Sequence, residues 1–305
     1  MVIEGMEAGC AFVNGEFVPI DEACVPIRDW GFTRSDLTYD TTSVWAGRFF
    51  RLDLHLERFA RNCERLALDP GLAIDDIAAV LHGCVTRAGL DAAYVQMICT
   101  RGVPTAGSRD PRTFRNRFYA FAVPYIWISP PEQQTGGGVD VVVARDTVRI
   151  PEAAFDPRVK NFMWGDLIRG LYEAYDRGGQ NVLLPDTEGN VTEGPGFNLF
   201  AVIDGILCTP ASGILDGITR RTVLELAGEA GIETRVAAIP VADLARASEC
   251  FLSSTAGGVM PVRSIDGVPL AAGAPGPVTN QLRDQYWAEH SRERWTSAVR
   301  APSGF

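Results

Sequence analysis

A run of proline and glycine near the middle of the chain restricts its fold more than any other feature of the sequence. Residues 129–138 read SPPEQQTGGG, a composition that interrupts both helices and strands. Helix and strand patterns occur on both sides of this run. For a chain of 305 residues we therefore predict a small α/β domain over residues 1–127, an interdomain linker over residues 128–138 and a larger domain over residues 139–305.

Hairpins and helices alternate in the first of these segments. The pairs Asn14-Gly15 and Ala46-Gly47 each separate two strand-like runs, so we predict two hairpins that turn at these positions. Apolar residues at helical spacing predict helices at about 54–66 and 74–88, and Gly89 ends the second. Strand patterns follow at 94–100 and 118–123.

The second segment continues the mixed pattern. Strands are predicted at 139–144, 181–184, 198–203 and 206–209. Helices are predicted at about 162–177 and 219–228. The predicted fold class of the whole chain is therefore α+β (mixed α/β).

Charge and hydropathy argue against several classes of function. The net charge is −10, and an acidic surface opposes binding to nucleic acid, which needs a basic face. No run reaches the roughly 20 apolar residues of a membrane span, so we predict no membrane insertion. Glu4 and Glu7 stand where a signal peptide needs basic residues, so we do not expect secretion. Seven scattered cysteines without a C-x-x-C pair are typical of reduced thiols, so we expect a cytoplasmic protein.

Lys160 is the only lysine among 28 lysines and arginines. Arginine replaces lysine wherever only positive charge is needed, but its guanidinium does not lose a proton in proteins. A reaction that needs a nucleophilic amine must therefore keep a lysine. Lys160 stands in the apolar and aromatic run VKNFMW, at the edge of the helix predicted from about 162, and desolvation there favours the neutral amine. It is either such a nucleophile or the chance remainder of a genome that favours arginine codons.

Three further stretches contain groups suited to an anion or a ring nitrogen. Glu193 precedes a Gly-Pro-Gly turn, and it is either an acid that pairs with a ligand or an exposed turn residue. The run GITRRT from Gly217 opens a helix whose free N–H groups suit a phosphate, unless Thr219 or Asp216 simply caps it. The run SSTAGG at 253–258 is either a turn that adds hydroxyl and amide donors or an ordinary loop. The three histidines lack metal-ligand spacing, so no metal is assigned.

In this order along the chain, these stretches resemble the fold-type IV pyridoxal-phosphate enzymes. That group includes branched-chain aminotransferases, D-amino-acid transaminases, aminodeoxychorismate lyase and (R)-selective amine transaminases. The resemblance covers nearly the whole chain, and it implies a small α/β domain, a larger pseudo-barrel domain and a homodimer. The motifs that carry it are DWGF from Asp29, HLERF from His55, Lys160-Asn161, the stretch 193–200, GITR from Gly217 and STAGG from Ser254.

The resemblance implies a role for each matching residue. Lys160 would hold pyridoxal 5'-phosphate as a Schiff base and shuttle a proton, and Glu193 would bond the pyridine nitrogen. The phosphate would be bound by four residues, two of them through backbone N–H groups (Ile218 and Thr219) and two through side chains (Arg58 and Thr255).

Within the family, the chain is most similar to the (R)-selective amine transaminases. The runs that carry this likeness are SDLTY from Ser35, VKNF with WGDL around Lys160, and GPVT from Gly276. This likeness implies that Tyr39 lines the substrate pocket and that Arg109, in the run SRDP, pairs with the carboxylate of a keto acid. Gln96 departs from the pattern, because some relatives carry an acid at its position.

The implied reaction is a ping-pong amino transfer from an (R)-amine or a D-amino acid to a keto acid such as pyruvate. Transfer from branched-chain or D-amino acids remains open as an alternative. So does β-elimination of the aminodeoxychorismate lyase type, which would need no keto-acid partner. A cofactor-binding protein without catalysis is a further alternative, and the intact Lys160, Glu193 and phosphate-binding residues disfavour it.

Overall fold

The computed structural model describes residues 8–105 and 107–300, so Glu4 and Glu7 lie outside the described residues. Within these two ranges, none of the helices combines the length and the apolar character needed to cross a bilayer. The chain divides into two compact units. The first contains Met1–Ile126, Val159–Phe162 and His290–Phe305, and the second contains Trp127–Arg158 and Met163–Glu289.

Strands and helices alternate along the described residues. The strands are β1 (Cys10–Val13), β2 (Glu16–Pro19), β3 (Leu37–Trp45), β4 (Arg48–Phe50), β5 (Ala93–Thr100), β6 (Arg117–Pro124), β7 (Val139–Val143), β8 (Asn181–Leu183), β9 (Glu193–Gly194), β10 (Phe197–Ile203), β11 (Ile206–Thr209), β12 (Thr234–Val236), β13 (Ala247–Ser254), β14 (Gly258–Ile265), β15 (Val268–Pro269) and β16 (Thr296–Ala298). The α-helices are α1 (Trp30–Arg34), α2 (Leu52–Arg65), α3 (Ile74–Ala88), α4 (Pro131–Thr135), α5 (Gly165–Asp176), α6 (Ile218–Glu229) and α7 (Pro277–Glu289). The mixed α/β fold class is confirmed.

The first unit is built on an antiparallel sheet in the order β16-β4-β3-β5-β6-β1-β2. Both predicted hairpins are confirmed, and Asn14 and Ala46 take the positive φ of 56° and 49° that tight hairpin turns require. Helices α2 and α3 pack on one face of this sheet, around a core that includes Phe49, Phe59 and Met97. Helix α3 ends at Gly89 in the left-handed conformation, as predicted.

Strand register assigns the side chains of β3 to two faces of this sheet. Directly opposed residues of antiparallel strands point to the same face, and neighbours along a strand alternate. Asp40 is opposite the core residue Met97, so it points toward the helices. Tyr39 and Thr41 therefore point to the opposite face, where Thr41 is opposite Gln96.

The second unit contains a nine-stranded mixed sheet with the path β12-β11-β10-β13-β14-β7-β8. Strand β9 pairs with β10 and strand β15 with β14. The pairs β7–β8, β7–β14 and β11–β12 are parallel, and the other pairs are antiparallel. The core includes Leu199, Leu252 and Met260, all fully buried, and helices α6 and α7 pack against β13.

The helix predicted from about residue 162 begins instead at Gly165. The carbonyl of Lys160 is the reason, because it accepts hydrogen bonds from the backbone N–H of Tyr39 and the hydroxyl of Thr38 in β3. This pairing keeps the stretch before Gly165 non-helical, so Lys160 lies outside the helix rather than at its edge.

Candidate active site

Lys160 is held against strand β3 of the first unit. Its carbonyl oxygen lies 2.8 Å from Oγ1 of Thr38, which fixes the backbone at this position. Its Nζ lies 4.5 Å from the ring centroid of the buried Tyr39. The Tyr39 ring in turn packs on Phe162, with 4.5 Å between ring centroids. The half-buried amine is therefore held next to aromatic surface, which restricts its position and its solvation.

Arg58 is anchored inside the first unit by a buried carboxylate. Asp40 accepts hydrogen bonds from Nε and Nη2 of Arg58, at 2.7 and 2.8 Å. Asp40 also accepts from Nδ1 of His55 at 2.8 Å and from the backbone N–H of Thr41 at 2.7 Å. The three charged or titratable side chains are almost completely buried. A two-point contact of this kind fixes the plane of the guanidinium.

The ionisation of this cluster follows from its burial. Burial by itself raises the pKa of the Asp40 carboxyl, but the charge and hydrogen bonds of Arg58, and then those of His55, outweigh it and hold that pKa well below its usual range. Burial is also the largest influence on His55, and it lowers the pKa of the imidazole below the ordinary value of 6.5 although Asp40 opposes the shift. His55 is therefore neutral near pH 7 and donates its Nδ1–H to the carboxylate.

A cluster of neutral polar side chains lies on the sheet face that carries Tyr39. The hydroxyl of Tyr94 donates to Oε1 of Gln96 at 3.3 Å and lies 3.4 Å from Oγ1 of Thr41. Burial raises the pKa of the Tyr94 phenol, so this hydroxyl stays protonated and donates. The strand-to-strand register brings these three residues together, and sequence reasoning missed Thr41 and Tyr94.

Arg109 lies in an exposed loop of the first unit. Hydrogen bonds shape this loop, from Thr105 Oγ1 to the carbonyl of Thr113 and from the N–H of Asp110 to Oγ of Ser108. Asp110 pairs with Arg112 at 2.6 Å, and that ion pair does not include Arg109. Arg109 therefore lies on a loop that hydrogen bonds hold in shape, and its guanidinium is not part of the Asp110–Arg112 ion pair.

In the second unit, Glu193 is buried in strand β9, so it is not an exposed turn residue. Its Oε1 accepts from Nε and Nη2 of Arg149, at 3.2 and 3.1 Å. Its Oε2 accepts from the backbone N–H of Leu215 at 2.8 Å and from Nδ2 of Asn198 at 3.4 Å. A carboxylate with this many donors is stabilised in its ionised form.

Helix α6 begins at Ile218 without a side-chain cap. The N-cap residue is Gly217, which has no side chain to cap the helix, and the first turn carries no acidic residue. Ile218 and Thr219 are buried, so their N–H groups lie at a helix terminus that is sheltered from bulk water. Free N–H groups and the positive end of the helix dipole favour an anion at this end of α6.

The turn after strand β13 holds the last of the expected site residues. Oγ of Ser254 donates to the carbonyl of Gly196 at 2.7 Å and accepts from the N–H of Ala256 at 3.1 Å. These bonds fix the backbone on both sides of Thr255. Residues 255–257 therefore form a tight turn between the paired strands β13 and β14, with its backbone held by these hydrogen bonds.

The groups present in the two units fit pyridoxal 5'-phosphate. The first unit contains a lysine amine beside aromatic rings and an anchored arginine. The second contains a buried carboxylate and a helix start without a side-chain cap. A lysine amine can condense with the aldehyde, and a carboxylate can pair with the protonated ring nitrogen. An arginine and the N–H groups at a helix start can bind the phosphate. Tyr39, Arg58, Arg109 and Lys160 belong to the first unit, and Glu193, Ile218, Thr219 and Thr255 belong to the second; their individual roles stay predictions.

Replacing Gly217 with alanine is expected to destabilise the second unit. A Cβ at this position would stand far inside van der Waals contact with Oδ1 of Asn198, whose amide donates to Glu193 and to the carbonyl of Leu215. We expect a loss of about 1–3 kcal/mol in the free energy of unfolding, measured by urea denaturation. Gly228→Ala in the same helix is the control, because its Cβ meets nothing within 4 Å, and we expect a gain of about 0.5–1 kcal/mol there. Equal stability of both variants would contradict the close approach at Gly217.

Comparison with known proteins identifies the family of this chain. The family described as Amino-transferase class IV matches residues 37–265. The chain is 29% identical over 278 residues to D-alanine aminotransferase of Staphylococcus haemolyticus, covering 90% of this chain and 95% of that protein. It is 27% identical over 296 residues to the branched-chain-amino-acid aminotransferase of Escherichia coli strain K12, covering 92% and 93%. The crystal structure of the branched-chain amino acid aminotransferase from Thermobaculum terrenum in its PLP-bound holo-form superposes with a TM-score of 0.84 at 25% identity, covering 96% of this chain and 98% of that one. The chain therefore belongs to the class IV aminotransferases.

Proposed function

We propose that this aminotransferase moves an amino group from an (R)-amine or a D-amino acid to a keto acid such as pyruvate. The observation that carries the proposal is the fixed position of the only lysine amine beside the ring of Tyr39. Pyridoxal 5'-phosphate, the cofactor of the family, supplies a carbonyl that condenses with amines and a ring that accepts electrons.

Lys160 and Glu193 perform the central steps of this proposal. The Nζ of Lys160 would anchor the cofactor through its carbonyl and would move the proton at the carbon that bears the amino group. The contact with Tyr39 restricts the positions that this amine can take. Glu193 remains ionised through its bonds to Arg149 and Leu215, and it keeps a proton on the ring nitrogen.

Four residues bind the phosphate in this proposal. Arg58 contributes a guanidinium whose plane is fixed by Asp40. Ile218 and Thr219 contribute backbone N–H groups at the start of α6, which has no side-chain cap, and Thr255 contributes from the tight turn after β13. Charge-assisted hydrogen bonds of these types are the strong ones in anion binding.

Neutral side chains on the sheet face of Tyr39 favour a donor of low charge. Thr41, Tyr94 and Gln96 present hydroxyl and amide groups there, and none of the three is ionised near pH 7. A plain amine or a small D-amino acid places fewer charged groups against such a surface than glutamate does. The carboxylate of the acceptor is assigned to Arg109 instead.

Replacing Arg109 with alanine is expected to slow the second half-reaction selectively. Loss of a guanidinium–carboxylate contact should lower kcat/KM for pyruvate by about 10- to 100-fold, while deamination of an (R)-amine, which has no carboxylate, should change by less than about 2-fold. Stopped-flow absorbance separates the two half-reactions. Arg112→Ala is the matched control, because Arg112 lies in the same loop and pairs with Asp110. Equal losses in both half-reactions would refute the assigned role.

Transfer from branched-chain L-amino acids is the second candidate. It is favoured by the likeness to the Escherichia coli and Thermobaculum terrenum enzymes, whose names state that activity. The likeness to D-alanine aminotransferases supports the first candidate to a similar degree. A homodimer and a cytoplasmic location also remain proposals.

A panel of donors in the first half-reaction decides between these candidates. The pyridoxal form is mixed separately with (R)- and (S)-1-phenylethylamine, D-alanine and L-leucine without a keto acid, and the visible absorbance of the cofactor is followed. We expect bleaching by the (R)-amine or D-alanine and recovery after pyruvate is added. Bleaching by L-leucine alone would assign the protein to the branched-chain enzymes.

A further inference from the structure

A buried guanidinium joins two carboxylates in the second unit. Arg149 donates through Nε and Nη2 to Oε1 of Glu193, and through Nη1 to Oδ2 of Asp166 at 2.6 Å. The side chains of all three residues are about nine-tenths buried. The backbone N–H of Arg149 bonds the carbonyl of Pro185 at 2.8 Å, so the base of the side chain is fixed as well.

Asp166 accepts hydrogen bonds from backbone N–H groups in addition to the one from Arg149. It lies in the first turn of α5, where the helix dipole favours negative charge. Its Oδ2 accepts from the N–H of Ile150 at 2.8 Å, and its Oδ1 accepts from the N–H of Leu167 at 2.8 Å. Asp166 therefore neutralises Arg149 at the end of the guanidinium that faces away from Glu193.

The charges of this network add up to a single negative charge. Arg149 alone beside Glu193 would form a neutral pair, and a neutral pair has little attraction for a protonated ring. Asp166 restores one negative charge while Arg149 keeps Glu193 from taking up a proton. An arginine is suited to this bridge because its planar fork reaches two carboxylates at once, which an ammonium does not do with fixed geometry.

We propose that Arg149 and Asp166 are positioning residues that fix the orientation and the net negative charge of Glu193 so that it holds a proton on the ring nitrogen of the cofactor. This inference rests on the proposed role of Glu193. It extends that role from the Glu193 carboxylate to a three-residue network. Arg149 and Asp166 then influence the selectivity for a protonated ring nitrogen through Glu193.

Cofactor analogues separate this role from a structural one. The dissociation constants of pyridoxal 5'-phosphate and of its 1-deaza analogue, which has a C–H in place of the ring nitrogen, are measured on the full chain after removal of cofactor. We expect Arg149→Met to reduce the preference for the nitrogen-containing cofactor about tenfold, because Glu193 then takes up a proton in a buried site. Binding of the deaza analogue should change by less than about twofold.

Asp166→Asn keeps the shape of the side chain and removes one charge. It should reduce the same preference in the same direction, and it serves where Arg149→Met does not fold. Arg246→Met is the matched control, since Arg246 also bridges two carboxylates, Asp204 and Asp243, but at the exposed surface. It should leave both dissociation constants unchanged.

Each contrary outcome has a distinct meaning. Equal weakening of both cofactors by Arg149→Met and Asp166→Asn would overturn the inference and leave a merely structural network. An unchanged preference in Glu193→Gln would instead show that Glu193 does not meet the ring nitrogen, and the proposed function would then need revision at that residue. A loss of preference in Glu193→Gln together with none in the other two variants would overturn only the inference.

Discussion

Replacing Lys160 with alanine is expected to abolish amino transfer. The variant contains no lysine at all, so no side chain can take over as the covalent anchor. It also loses the group that we propose as the base for the proton at the substrate carbon, and such a base contributes about 10²- to 10⁴-fold by itself. We therefore expect kcat to fall by at least about 10⁴-fold, measured as pyruvate-dependent product formation over hours.

Lys160→Arg is the control for charge. The guanidinium preserves the cation over the Tyr39 ring but cannot act as a nucleophile, so this variant should be as inactive as the alanine variant. Unfolding curves for both variants establish that the fold is intact. Steady-state transfer within about tenfold of the wild type in either variant would contradict the assignment of Lys160.

Replacing Asp40 with asparagine is expected to have the largest effect on stability. The variant leaves the buried Arg58 without its counter-ion and turns an acceptor of several hydrogen bonds into a partial donor. Removing one partner of a buried ion pair destabilises proteins by about 3–5 kcal/mol, because the remaining charge stays desolvated. The proposed binding of phosphate by Arg58 should weaken together with stability, because the plane of the guanidinium is no longer fixed.

Urea denaturation near neutral pH measures this effect. Asp204→Asn is the matched control, since Asp204 pairs with Arg246 at 2.8 Å on the exposed surface, and such pairs contribute about 0–1 kcal/mol. Asparagine also tolerates the positive φ of 52° at position 204. Similar losses in the two variants would contradict the view that the Asp40 network is a buried anchor.

The same network predicts loss of stability in mild acid. The pKa of His55 is lower in the folded protein than the ordinary 6.5, so below about pH 6.5 the unfolded chain binds a proton that the folded protein does not. Asp40 acts in the same direction at lower pH, because its folded pKa is also depressed. Stability therefore falls as pH decreases from 7, and His55→Gln should flatten this dependence between about pH 5 and 7. An identical slope in wild type and variant would refute the contribution of His55.

Local patterns in the sequence are sufficient to predict much of the fold. The hairpins at Asn14-Gly15 and Ala46-Gly47 follow from turn chemistry, and α3 follows from its apolar spacing and Gly89. The start of α5 does not, because the Lys160 carbonyl pairs with a strand more than a hundred residues away in sequence. A local pattern contains no information about such a contact.

The residues of the candidate site also differ in whether local sequence patterns point to them. Lys160 stands out because the chain has no other lysine, and Glu193 stands out through its glycine-rich surroundings. Arg149 and Asp40 have no such signal, because one arginine or aspartate among many looks like any other. Arg149 meets Glu193 across 44 residues of sequence. Backbone hydrogen bonds link both to one segment, from the N–H of Arg149 to the carbonyl of Pro185 and from the N–H of Leu184 to the carbonyl of Glu193. The alternation of side chains in β3 and β5 is the signal that points to Thr41 and Tyr94, once the register is known.

Covalent mapping of the cofactor tests the central claim most directly. The wild-type protein with pyridoxal 5'-phosphate is reduced with borohydride, digested and analysed by mass spectrometry. We expect one pyridoxyl phosphate group per chain, on the peptide that contains Lys160. A label at the N-terminal amine alone, or no label on a protein that retains bound cofactor, would contradict the claim that Lys160 carries the cofactor.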